Sequence, residues 1–166
     1  EATLTHRHPL AGDVAAAVAS LCRALVRGLP WPEAIAFALG GRMRETQQAL
    51  AARNTVGLSA GGYAPEVLRA AVFLLHDSKS FSAALARAVA FAGPSNYCPV
   101  LVGCIGGVKW GRTAIPDSVL PDDGALLERI SKAASALGKA WGRAGLLTSG
   151  VRGPNAVRLE TAGKGL

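Results

Sequence analysis

Apolar residues along this chain recur three and four positions apart, the spacing that gathers them on one side of an α-helix. Nowhere do they alternate with polar residues for long enough to build a strand. Residues 10–28 put Val14, Val18, Leu21, Leu25 and Val26 on one stripe, and Gly28 with Pro30 ends the segment. Pro32 and Glu33 suit a helix start, because proline lacks a donor where none is needed and glutamate favours the positive end of the dipole. The pattern continues to Asn54, with a break or kink expected at Gly40-Gly41, and "NTVGLSAGGY" at 54–63 reads as loop. Pro65-Glu66 opens another helix with Leu68, Val72 and Leu75 inward. Ser80 is the expected N-cap of the next, with Phe81, Leu85 and Val89 inward.

The turn "GPSNY" at 93–97 then leads into residues 98–111, which have almost no polar face. Gly103, Gly106 and Gly107 share one side of that segment, so a neighbouring backbone is expected to come close and the helix to lie at the bundle centre. After the loop "AIPDSVLPDDG", residues 124–142 form an amphipathic helix carrying Leu126, Leu127, Ile130, Leu137 and Trp141. The prediction is an all-α helical bundle of about six helices over residues 1–142, with a tail at 143–166 that lacks clear periodicity.

Half of the 166 residues are hydrophobic, enough for one domain with a substantial core. The longest uninterrupted apolar run, "PVLVGCIGGV" at 99–108, is half the ~20 residues needed to cross a bilayer, and Arg23 interrupts residues 13–26. No membrane interaction is expected. Nor does a basic-then-apolar leader follow Glu1, so no export signal is expected. Cys22, Cys98 and Cys104 are odd in number and lack paired spacing, which argues against a disulfide framework and against zinc. Reduced, mostly buried thiols in a cytoplasmic protein are the expectation. The net charge is +7, but the basic residues are scattered and no aromatic residues interleave with them, so no nucleic-acid partner is expected. They read as solvated helix faces, with attraction to a phosphate-bearing ligand or an acidic partner as the alternative.

Two stretches offer chemistry. In "LTHRHP" at 4–9, His6 and His8 flank an arginine just before a helix; a metal would need further ligands that the neighbourhood lacks. The imidazoles otherwise donate to an anionic or hydroxyl-rich ligand, or simply cap and pack. In the 93–97 turn, Gly93, Ser95 and Asn96 bring backbone amides and short polar side chains to a helix N-terminus, a fit place for an anion. Pro94 brings no amide. Cys98 has no base beside it in sequence to make it a nucleophile, and no carboxylates pair in a loop; Asp122-Asp123 read as charges on a helix dipole.

"LTHRHPLAGDVAAAVASL", "GGYAPEVLRAAVFLLHDSKSFSAALARAVAFAG" and "VLVGCIGGVKWGRTAIPDSVL", in that order, resemble the ADP-ribosylglycohydrolase family over roughly residues 3–120. The resemblance is to the C-terminal half of that fold. It implies an all-α bundle whose members use two magnesium or manganese ions in a cleft for ADP-ribose. Some of the ligands come from a Gly-Gly-Asp-x-Asp-Thr segment that leads into the small-residue helix. On that alignment the two aspartates fall on Pro94 and Asn96 and the threonine on Tyr97; of this segment only Gly93 is unchanged.

Magnesium takes about six oxygen ligands, with anionic oxygens offsetting its dehydration, and proline, asparagine and tyrosine bring no charge. The resemblance therefore implies a family domain that has lost metal-dependent hydrolysis, with no catalytic residue, no metal ligand and no cofactor. The expected ligand is ADP-ribose or a related nucleotide, contacted by His6, Gly62, Tyr63, Gly93, Ser95 and Asn96. In that expectation His6 hydrogen-bonds ribose or phosphate and the 93–96 backbone faces the diphosphate. Two other functions compete with it. One is a protein-interaction or homo-oligomeric scaffold using an apolar face left by the missing half of the fold. The other is an active ADP-ribosyl-protein hydrolase completed by that half.

Overall fold

The computed structural model describes residues 4, 6–54, 57, 58, 60–120 and 122–148, with side chains as far as residue 140. Among these residues there are seven α-helices, two 3-10 turns and no strand. The helices are α1 (Pro9–Val26), α2 (Trp31–Leu39), α3 (Arg44–Ala51), α4 (Ala64–Asp77), α5 (Phe81–Ala92), α6 (Tyr97–Trp110) and α7 (Gly124–Thr148). The all-α expectation holds. Residues 1–120 and 121–166 are two separate compact units.

Local chemistry explains most helix ends in the first unit. His8 caps α1, its Nδ1 accepting the Leu10 N–H at 3.3 Å, while Pro9 opens the helix where no donor is required. Gly28, at φ 81°, takes the chain out of α1 in a conformation that side chains disfavour. The expected break at Gly40-Gly41 occurs, and α1 holds it in place: Asp13 accepts the Met43 N–H at 2.9 Å and pairs with Arg42 at 3.4 Å. Ser80 caps α5 as expected, its Oγ accepting the Ala83 N–H at 3.2 Å.

The core is shared by α1 to α6, with Ile35 of α2 and Leu50 of α3 buried in it alongside residues of α1, α4, α5 and α6. Leu68, Val72 and Leu75 of α4 are fully buried, as their spacing predicts. On α5 the buried stripe is Phe81, Ala84, Ala88 and Ala92, whereas Leu85 is half-buried and Val89 lies 53% exposed. Alanines win that face because their small side chains let α5 approach α6 closely. On α1, likewise, Ala17 and Ala24 are buried while Val26, at the helix end, is exposed.

Helix α6 packs against α1, α4 and α5, yet it is not enclosed. Val102, Ile105 and Gly106 are buried; Tyr97, Val100 and Cys104 open to solvent. Nor do its glycines form a common contact face. A Cβ on Gly106 would lie 3.3 Å from both Leu75 and Trp110 and 3.4 Å from Phe81, while one on Gly103 would meet nothing within 4 Å. Side chains, rather than a neighbouring backbone, occupy the space that Gly106 leaves.

At the other end of α6, Lys109 donates to the Leu75 carbonyl and lies 4.7 Å from the Trp31 ring centroid and 4.2 Å from that of Trp110. The rings and carbonyl compensate the ammonium for lost water. Burial still lowers its pKa from 10.5.

Thr46 of α3 is buried completely and its Oγ1 has no partner among the described residues. A buried hydroxyl without a partner opposes folding, and valine has nearly the same shape. Thr46→Val is expected to raise the unfolding free energy by about 1 kcal/mol. A urea midpoint that moves upward at unchanged slope is the confirming result.

At 18 residues α1 is long and apolar enough to cross a bilayer, the one such helix among the described residues. Here it packs sideways into the bundle through Leu10, Val14, Ala17, Leu21 and Ala24. In the second unit, α7 runs past residue 142 to Thr148, so residues 143–148 are helical rather than tail. Leu126, Ile130 and Leu137 are exposed on it. The Trp141 side chain and residues 149–166 lie outside the described portion.

Candidate functional site

A groove of about 670 Å³ runs between α1, the start of α4 and the first turns of α6. Val14 and Val18 line one side, Ala64 and Val67 another, and Tyr97, Val100 and Cys104 the third. His6 and Gly62 border it from the segments preceding α1 and α4, and Asn96 from the turn before α6. A shallower depression of about 490 Å³ shares His6 and Gly62 and adds His8, Tyr63 and Pro65.

The six residues expected to contact ligand therefore divide. His6, Gly62 and Asn96 share the main groove, and Tyr63 borders the neighbouring depression. Gly93 and Ser95 line neither. Their amides are also engaged within the turn: Gly93 donates to the Val89 carbonyl at 3.2 Å and Ser95 to that of Ala92 at 3.0 Å. With Pro94 lacking an N–H, Asn96 has the one amide of 93–96 that makes no hydrogen bond among the described residues. Of residues 93–96, Asn96 is the one that lines the groove. Gly93, at φ 56° and ψ −121°, makes the reversal that ends α5 and starts α6.

Tyr97 is the neighbour that the sequence does not reveal. The family alignment marks it only as a replaced threonine, yet its ring lies 58% exposed in the groove. A Cβ on Gly62 would come within 3.1 Å of that ring, so the lack of a side chain at residue 62 makes room for it. Gly62 lies in the loop before α4 and Tyr97 opens α6, and nothing local to either signals the contact. Tyr63, by contrast, serves α4 through its backbone: its carbonyl accepts the Glu66 and Val67 amides, both at 3.0 Å.

The groove is largely apolar. No carboxylate, lysine or arginine lines it among the described residues, and its polar side chains are those of His6, Asn96, Tyr97 and Cys104. At the turn where the family resemblance implies metal ligands stand Pro94, a neutral carboxamide and a phenol. No three His, Cys, Asp or Glu residues gather at one point among the described residues. These donors do not fit a pair of divalent cations, which require several anionic oxygens at short range.

The sequence profile described as ADP-ribosylglycohydrolase matches residues 1–145. No curated protein and no solved structure matches the chain. Since the profile spans most of the 166 residues and the bundle is all-helical, the chain belongs to the ADP-ribosylglycohydrolase family.

Proposed function

We propose that this family domain binds ADP-ribose or a related nucleotide in the α1–α4–α6 groove and does not carry out metal-dependent hydrolysis. The observation that supports this most is convergence: His6, Gly62 and Asn96, from three distant segments, border one groove beside the open face of Tyr97. In this reading the apolar walls and the Tyr97 ring take the base and the sugar faces, since an aromatic ring offers a large flat surface at little entropic cost. The imidazole and carboxamide supply the directional hydrogen bonds that fix orientation. A net charge of +7 favours approach of a diphosphate. Cleavage of a glycosidic bond calls for a carboxyl acid–base or metal-bound water near the reacting carbon, and no carboxylate lines the groove among the described residues.

Calorimetric titration with ADP-ribose, with and without magnesium, tests the reading. Binding well below millimolar that magnesium leaves unchanged supports it; millimolar or absent binding rejects the pocket. An ADP-ribosylated arginine or serine peptide is expected to stay intact, and magnesium-dependent release of ADP-ribose would restore the hydrolase reading.

The exposed apolar side chains of Tyr97 and Val100 favour a second reading, a surface for a protein partner or another copy of the chain. Light scattering separates the two. Concentration-dependent association favours the scaffold, and a strict monomer counts against it.

A further inference from the structure

Helix α7 keeps its large apolar side chains and its lysines on different sides. At about 3.6 residues per turn, Leu126, Ile130 and Leu137 fall within about 40° of one another around the axis. All three are exposed, Ile130 by 51% and Leu137 by 69%. Lys132 and Lys139 take the opposite side, and Arg129 stands at the border between the two. Glu128, the one acidic residue of α7, already pairs with Lys132 at 2.7 Å. From residue 124 to residue 166 the sequence holds seven basic residues against two acidic ones.

An open apolar stripe backed by basic side chains complements a surface that is apolar within and negative outside. We infer that α7 lies along anionic lipid bilayers, with Leu126, Ile130 and Leu137 inserted below the headgroups. Arg129, at the border, reaches back to the lipid phosphates along its aliphatic stem, and the lysines sit in the negative surface potential. The lack of a long apolar run, which argues against a span, sets no limit here, because a helix lying in the interface buries one side alone.

The stripe suits a fluid surface better than a protein groove. A groove holds a helix by large side chains about one turn apart, each filling its own pocket. Here Ala133 and Ala134 separate Ile130 from Leu137, two turns further on. A bilayer needs no such match of shape. The proposal is independent of what the α1–α4–α6 groove binds.

Flotation of the full chain with lipid vesicles tests it. The chain is expected to float with vesicles of mixed phosphatidylcholine and phosphatidylserine, to stay behind with phosphatidylcholine alone, and to be released by high salt. Ile130→Ser with Leu137→Ser leaves the charge unchanged, so its expected loss of about tenfold in affinity reports the stripe rather than the net charge. Arg129→Gln with Lys139→Gln should also weaken binding by about tenfold at low salt. The proposal is overturned if wild type does not float, if it floats equally with both vesicles, or if either double variant binds as tightly as wild type. Self-association without lipid that the serine pair abolishes would assign the stripe to a second copy and overturn it too. The two vesicle compositions decide the question on wild type even where a variant fails to fold.

Discussion

Leu75→Ala is expected to lower the unfolding free energy by about 2–5 kcal/mol. Leu75 is fully buried on α4, and its Cδ2 fills the space that Gly106 leaves on α6. Val72 and Ile105 are also fully buried, so the surrounding side chains have little freedom to collapse into the void. The Leu75 carbonyl in addition receives Lys109, which leaves the backbone there little room to shift. Urea unfolding measures the loss. Gly106→Ala in the same background adds a methyl at the edge of the cavity, so the double variant should recover at least about 0.5 kcal/mol, a coupling expected only between residues in contact. A loss below about 1 kcal/mol for Leu75→Ala, under the range for a buried leucine, or strict additivity, would contradict the packing of α4 against α6.

Gly93→Ala is expected to cost less, about 1–3 kcal/mol. Nothing stands within 4 Å of the position a Cβ would take, so the cost is conformational. At φ 56° and ψ −121° a side chain strains against its own backbone, and a changed turn would move Asn96 away from the groove. Stability and ADP-ribose affinity should fall together. A variant as stable as wild type would mean that the turn adopts another conformation. The resemblance gains a physical explanation from this. Of the segment that the resemblance sets against the family's metal ligands, the residue in common, Gly93, is the one whose backbone conformation here favours glycine.

Several features were legible because they are local. The break at Gly40-Gly41, the Ser80 cap and the inward face of α4 each depend on residues within a turn or two of one another. The exceptions share a cause. On α5 and α1 the contact faces draw on alanines, whose low hydropathy contrast hides them behind larger neighbours such as Val89 and Val26. Half of the candidate site suffered likewise. Its composition could be guessed from the family motifs, but the engaged amides of Gly93 and Ser95 and the place of Tyr97 beside Gly62 emerge only from the folded turn.

By itself, then, the amino-acid order determined an all-helical chain, the positions of most helix ends, its family, and a bend without anionic oxygens. The family follows from the resemblance of its motifs; the rest follow from periodicity, capping or side-chain charge, which act over a few residues. Tertiary structure alone decided which side of α6 stays open and that His6, Gly62 and Asn96 border one groove. Those outcomes depend on which helices, distant in sequence, pack against one another, and no residue's near neighbours in the chain determine that.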